Sequence, residues 1–121
     1  MTDKILLIEN EEHLRGLYQI ELEEEGYNVL VAGNGHEALT RLHREPVDLV
    51  VLDLKLPDGS GLEYLQEVLQ LQRDVKVVIN TAYPTYKLDF HTWAADAFLV
   101  KSSDLNELKR TIAGLLHSER N

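Results

Sequence analysis

The chain of 121 residues contains no cysteine. Disulfide bridges and thiolate metal centres are therefore excluded, and the composition is compatible with a reducing cytoplasm. Long apolar runs are also missing, and the N-terminus reaches Asp3 and Lys4 before any hydrophobic stretch. Neither a transmembrane helix nor a signal peptide is expected. Positive charge is scarce: 12 Lys and Arg stand against 21 acids, giving a net charge of −9. Nucleic-acid affinity is built mainly from cationic contacts to phosphate, so direct binding to nucleic acid is not expected, and a basic protein partner fits the charge better. No internal repeat, low-complexity tract or linker breaks the chain, so one domain over residues 1–121 is expected.

Five short apolar runs are present instead: Ile5–Ile8, Val29–Ala32, Leu49–Leu52, Val75–Ile79 and Ala97–Val100. They are rich in Val, Ile and Leu without polar alternation, the pattern of strands covered on both faces. Between them lie helical stripes: Leu14, Leu17, Tyr18 and Leu22; then Leu62, Leu65, Val68 and Leu69; finally Leu105, Leu108, Ile112, Leu115 and Leu116. Alternating strands and helices predict an α/β fold, a parallel sheet with helices on both faces. Asn34 with Glu37, Ser60 with Glu63 and Asp104 with Glu107 have capping-box spacing, and Gly26 marks a helix stop. From Tyr83 to Trp93 the apolar stripe is blurred and Pro84 intrudes, so a short or irregular fourth helix is expected there. Its aromatics, Tyr83, Tyr86, Phe90 and Trp93, are expected to be mostly core residues.

In an open parallel sheet, ligands bind beyond the carboxyl ends of the strands. The residues at those ends are Glu9 and Asn10, then Asp53, then Asn80, Thr81 and Ala82, then Lys101. Crowded carboxylates repel unless a cation intervenes. Lys101 supplies one positive charge, and a hard divalent ion such as Mg²⁺, which takes a few oxygen ligands and keeps several waters, could supply more. In the run "VVLDLKLPDGSG" (50–61), Asp53 ends the strand and the Pro57–Gly61 turn redirects the chain into a helix capped by Ser60. A carboxylate that has cationic neighbours and faces water can attack phosphorus and form an aspartyl phosphate, so Asp53 is expected to lie open at the strand end. Thr81 could then donate to a phosphoryl oxygen while Lys101 neutralises another.

Over nearly its whole length the chain resembles the receiver domain of bacterial two-component response regulators. The matching pieces are "ILLIENEEHLR", "VVLDLKLPDGSG", "VVINTAY" and "AFLVKSSDLNEL", in the family's order. The resemblance implies a flavodoxin-like (βα)5 three-layer sandwich whose five-stranded parallel sheet has the order 2-1-3-4-5. It also implies that Asp53 is the phosphoacceptor, that Thr81 and Lys101 contact the phosphoryl group, and that Mg²⁺ is held by Glu9, Asn10, Asp53 and the backbone carbonyl of Lys55. Phe98 matches an aromatic position that moves with Thr81. A histidine kinase or phosphotransfer protein would be the donor, and an output protein or effector domain the reader, in the cytoplasm, with no membrane contact. Such a domain is a signalling switch, at most phosphorylating and dephosphorylating itself slowly.

Three features depart from the family pattern. Asn10 stands where a second acid is usual, and a neutral amide oxygen should weaken Mg²⁺ binding. Ser102 follows Lys101 where proline is usual; a cis bond there would cost about 3 kcal/mol, so trans is expected. The stretch from Thr81 to Lys101 is slightly short.

Other readings compete. A phosphorylation-independent binding module fits Asn10, Ser102 and the short fourth segment. A metal-dependent phosphatase would want another acid just beyond its nucleophile, where Lys55 stands instead. Flavin binding lacks a phosphate loop after the first strand. Asn10 could simply cap the first helix, and the histidines at 13, 36, 43, 91 and 117 show no ligand spacing for a transition metal.

Overall fold

The structure, a computed structural model, describes residues 2–84 and 89–117, without the side chains of Phe90 and His91. Chain order is β1 (Lys4–Ile8), α1 (Glu12–Glu24), β2 (Asn28–Ala32), α2 (Gly35–Arg44), β3 (Leu49–Leu52), β4 (Lys55–Leu56), β5 (Gly59–Ser60), α3 (Gly61–Leu71), β6 (Lys76–Thr81), a 3-10 turn (Phe90–Ala94), β7 (Ala97–Val100) and α4 (Asn106–His117). The five long strands form one sheet in the order β2-β1-β3-β6-β7, and every pairing is parallel. With the small antiparallel β4–β5 hairpin set aside, this is the expected order 2-1-3-4-5 of a flavodoxin-like sandwich.

Alternation along each strand divides the core in two. Leu6, Ile8, Val50, Leu52, Val77 and Ile79 face Ala38, Leu42, Leu65 and Val68 from α2 and α3. Ile5, Leu7, Leu49, Val51 and Val78 face Tyr18, Leu22, Leu108 and Ile112 from α1 and α4. Both faces of the sheet are covered, which is why the strands read as continuous apolar runs.

The helix ends follow the capping signals. The Asn34 side chain accepts from the Glu37 N–H at 2.8 Å, Ser60 from Leu62 at 3.2 Å and Asp104 from Asn106 at 2.9 Å. Gly26 takes φ +99° and closes α1. The N-cap of α1 is Glu11, and its side chain makes no capping bond, so Asn10 is not the cap.

The expected short fourth element is the 3-10 turn, while Tyr86 lies outside the described residues. The core expectation for its aromatics needs correction at both positions whose side chains are described: Tyr83 is 42% and Trp93 77% exposed. A single 3-10 turn has no continuous buried face to fill. Leu17 of the first stripe is also exposed, since Tyr18 and Leu22 alone face the sheet from the middle of α1.

Gly61 is fixed by close approach. A Cβ there would lie 2.5 Å from the Asp53 carbonyl oxygen and 2.6 Å from Leu54 Cα. Both obstacles are backbone and cannot swing aside. Gly61→Ala is expected to destabilise the protein by about 1–3 kcal/mol, the usual cost of overpacking, read as a lower urea midpoint at unchanged slope. A midpoint equal to wild type would refute this close contact.

Candidate functional site

Register builds the site. Ile8 lies beside Leu52, and Leu52 beside Ile79. The next residues of β1 and β3, Glu9 and Asp53, therefore emerge side by side. Thr81 pairs with Val100, and the Lys101 N–H donates to the Thr81 carbonyl at 2.8 Å, which brings Lys101 to the same edge. Its ammonium bridges the two acids, with Nζ 2.8 Å from Glu9 Oε1 and 3.0 Å from Asp53 Oδ2. Each carboxylate has a second donor: Glu9 Oε2 accepts from the Glu11 N–H at 3.0 Å and Asp53 Oδ1 from the Lys55 N–H at 3.2 Å.

Burial makes the triad electrostatically strong. Glu9 is 2% and Asp53 5% exposed. Asp53 is thus not openly exposed at the strand end; Lys101 and the Lys55 amide cover its two oxygens, and it forms the floor of a cleft of about 330 Å³ lined also by Asn10, Lys55 and Tyr83. Burial pushes the Glu9 pKa above its ordinary 4.5, against the opposing pull of Lys101 and the Glu11 N–H. Burial alone would lower the Lys101 pKa, but bonding to Glu9 and Asp53 outweighs it and leaves the group above 10.5. The ammonium is therefore charged at neutral pH. Larger hollows exist, one of 570 Å³ bordered by Asp48 and Lys76 where β3 and β6 start and one of 630 Å³ along α3. Neither brings together a comparable charged triad.

Supporting contacts shape the rim. Arg15 Nη1 donates to the Glu9 carbonyl at 2.9 Å and to the Asn10 carbonyl at 3.4 Å, fastening the loop between β1 and α1. Lys55 Nζ donates to the Tyr83 hydroxyl at 3.2 Å and lies 4.9 Å from that ring's centroid, spanning the cleft mouth.

Thr81 is fully buried and does not border the cleft; its hydroxyl accepts from the Tyr83 N–H at 3.3 Å. Phe98 is half-buried against the core beneath α2 and α3. Tyr18, read only as a core residue, has a second part: burial raises the pKa of its hydroxyl against the opposing influence of the Asn80 side chain. The signal was Asn80 itself, since a carboxamide in a buried strand needs a partner. The Lys101–Ser102 bond is trans.

The groups lining the cleft that could hold a metal are all oxygen donors: the carboxylates of Glu9 and Asp53, the Asn10 amide and the Lys55 carbonyl. Among the described residues no group of three or more His, Cys, Asp or Glu is placed to hold a metal ion. Oxygen donors with room for water suit a hard divalent cation such as Mg²⁺ and disfavour a softer transition metal. Two carboxylates shared with one ammonium leave a single net negative charge to attract it.

Among the described residues no helix is long and apolar enough to cross a membrane. Residues 5–113 match the family profile of the response regulator receiver domain. The response regulator ArlR of Staphylococcus saprophyticus is 33% identical over 117 residues, covering 96% of this chain and 53% of ArlR. This chain thus spans about half the length of the curated relatives it matches. Among solved structures, the response regulator TrrA of Thermotoga maritima in complex with Mg²⁺-BeF is 41% identical, with a TM-score of 0.91 over 95% of this chain and 100% of that one. TrrA bound to the histidine kinase ThkA gives a TM-score of 0.89 at 41% identity, over 95% and 99% of the respective chains. Topology, the acid–lysine edge and these likenesses agree: the chain belongs to the response regulator receiver domains, the phosphoacceptor signalling modules of two-component systems.

Proposed function

We propose that Asp53 is the residue that takes the phosphoryl group, from a histidine kinase or phosphotransfer protein, and that the resulting charge changes a surface read by an output protein or effector domain. The observation that carries this reading is the Lys101 ammonium set between Glu9 and Asp53 at the floor of the cleft. An Asp53 oxygen attacks the phosphorus of a phosphohistidine; the P–O bond forms as the P–N bond breaks, and the imidazole leaves. Lys101 then exchanges its hold on the Asp53 carboxylate for a phosphoryl oxygen, remaining near Glu9. Thr81, which does not border the cleft, must turn its hydroxyl toward it to donate to the same group, and Phe98 moves with it. The covalent dianion adds charge where a buried ammonium is already placed, a local event that biases two surface states.

Glu9, Asn10, Asp53 and the Lys55 carbonyl would hold Mg²⁺, which when bound offsets charge on the transferring group. The TrrA complexes with Mg²⁺-BeF and with a histidine kinase support carrying both partners over to this chain. The net charge of −9 suits a basic protein partner and opposes nucleic-acid binding by this domain. A cytoplasmic setting, one domain over residues 1–121 and slow self-phosphorylation and self-dephosphorylation complete the reading.

Incubation with acetyl phosphate and Mg²⁺ should give a shifted band on a phosphate-affinity gel, and chelation should remove it. Absence of that band would sink the reading. Asn10 favours one rival, a phosphorylation-independent binding module. Asn10→Asp restores a charged ligand and should tighten Mg²⁺ about tenfold, or about 1.4 kcal/mol, by calorimetry. Wild-type protein that neither binds Mg²⁺ nor accepts phosphate, beside an Asn10→Asp variant that does both, would establish the rival.

A further inference from the structure

Asp58 sits at the turn of the β4–β5 hairpin, next to Gly59, whose φ is +146°. Its Oδ1 accepts from the backbone N–H of Gly35 and its Oδ2 from that of His36, each at 2.9 Å. First-turn amides of a helix have no intrahelical partner and carry partial positive charge, so a carboxylate from a distant loop satisfies two of them at once. Burial would raise the Asp58 pKa, yet the Gly35 and His36 amides outweigh it and hold the group below the ordinary aspartate range. Tyr64 adds a third tie: its hydroxyl donates to the Asp58 carbonyl at 3.3 Å. A Cβ on Gly35 would lie 2.1 Å from the Tyr64 ring, so glycine is what lets α2 approach this closely.

At the other end of the same hairpin Lys55 pairs with Ser60, and its N–H bonds Asp53 Oδ1. The Gly61 N–H donates to the Leu54 carbonyl at 2.8 Å. The hairpin is thus a short lever with its tip fastened to α2 and its base on the carboxylate of Asp53.

We propose that Asp58 is a positioning residue: by docking the hairpin tip on the first turn of α2, it fixes the Lys55 backbone and hence the orientation of Asp53 and of the carbonyl offered to a divalent cation. This rests on the reading of Asp53 and Lys55 given above. Nothing in the local sequence pairs Asp58 with Gly35 and His36; only the crossover of the chain brings them together.

Gln72 provides a matched control at the other end of α2. Its Oε1 accepts from the Val47 N–H at 2.9 Å, and its Nε2 donates to the Leu42 and Glu45 carbonyls, each at 3.0 Å. Gln72→Ala loosens α2 without touching the hairpin. The test measures two quantities on folded protein well below its melting temperature: the Mg²⁺ dissociation constant by calorimetry, and hydrogen exchange of the Lys55 amide without metal. Asp58→Ala is expected to weaken Mg²⁺ about five- to tenfold and to speed Lys55 exchange at least about tenfold. Asp58→Asn keeps one acceptor oxygen, should fall between, and serves if the alanine variant does not fold. Gln72→Ala should leave both readings within about twofold of wild type. An Asp58→Ala protein with wild-type Lys55 exchange, or a Gln72→Ala protein that matches it in both readings, would overturn the proposal. If wild type itself binds no Mg²⁺, the reading of the cleft as a metal site falls, while Lys55 exchange still decides whether Asp58 positions the loop.

Discussion

Asp53→Asn should give no phosphorylated protein with acetyl phosphate and Mg²⁺, a loss of at least about 100-fold that a phosphate-affinity gel reads directly. The amide is nearly the same shape, so the fold should persist, but its oxygen is neutral and a far weaker nucleophile. Asn also withdraws one of the two charges that hold Lys101, whose Nζ lies 3.0 Å from Asp53 Oδ2. Lys101 should then rest on Glu9 alone, at 2.8 Å in the native structure. Only other carboxylates could carry residual label, and Glu9, 2% exposed and already paired with that ammonium, is poorly placed to attack. A band equal to wild type would remove Asp53 from the phosphoacceptor role and leave the fold untouched.

Lys101→Met should produce the largest change in stability. It removes the one cation between two carboxylates that are nearly inaccessible to water. Breaking a fully buried pair costs about 3–5 kcal/mol; here the cleft admits some solvent, so about 2–3 kcal/mol at pH 7 is expected. For a domain of this size that lowers the melting temperature by about 8–12 °C.

The pH dependence separates this cause from lost packing. Glu9 is already held above 4.5 by burial, and Lys101 is what pulls it back; without Lys101 its folded pKa rises further. A group with a raised folded pKa contributes stability that is present below its unfolded value and lost as pH rises through the folded one. The deficit of Lys101→Met should therefore be largest near neutrality and shrink as pH falls toward 4.5. On the alkaline side, wild type should lose the contribution of Lys101 as pH climbs through a folded pKa above 10.5, a loss the variant cannot show. Urea unfolding at pH 5, 7 and 11 measures all of this. A deficit that grows on acidification would refute the electrostatic account.

Strand and helix identity was legible because it is written in local periodicity. Ile5–Ile8, Leu49–Leu52 and the stripe of Leu62, Leu65, Val68 and Leu69 each announce their element within a few residues, and the observed β1, β3 and α3 follow them closely. Once a parallel sheet is inferred, the acids and lysine at the strand ends must share one edge, so Glu9, Asp53 and Lys101 could be grouped before any coordinates. The blurred segment after Thr81 was equally readable as weak, and it yields only a 3-10 turn among the described residues.

The sequence by itself thus determined the order of the five sheet strands along the chain, the covered sheet and the charged groups collected at its carboxyl edge, but not the β4–β5 hairpin. Periodicity and strand alternation dictate those wherever the chain runs. Only the tertiary structure decided that one ammonium spans both acids, that Thr81 lies behind the cleft bonded to Tyr83, that Trp93 and Leu17 face outward and that Asp58 fastens onto α2. Each of these depends on side-chain torsions and on partners far away in the chain. Spacing along a sequence carries no information about which of several nearby donors an oxygen will meet once the layers have packed.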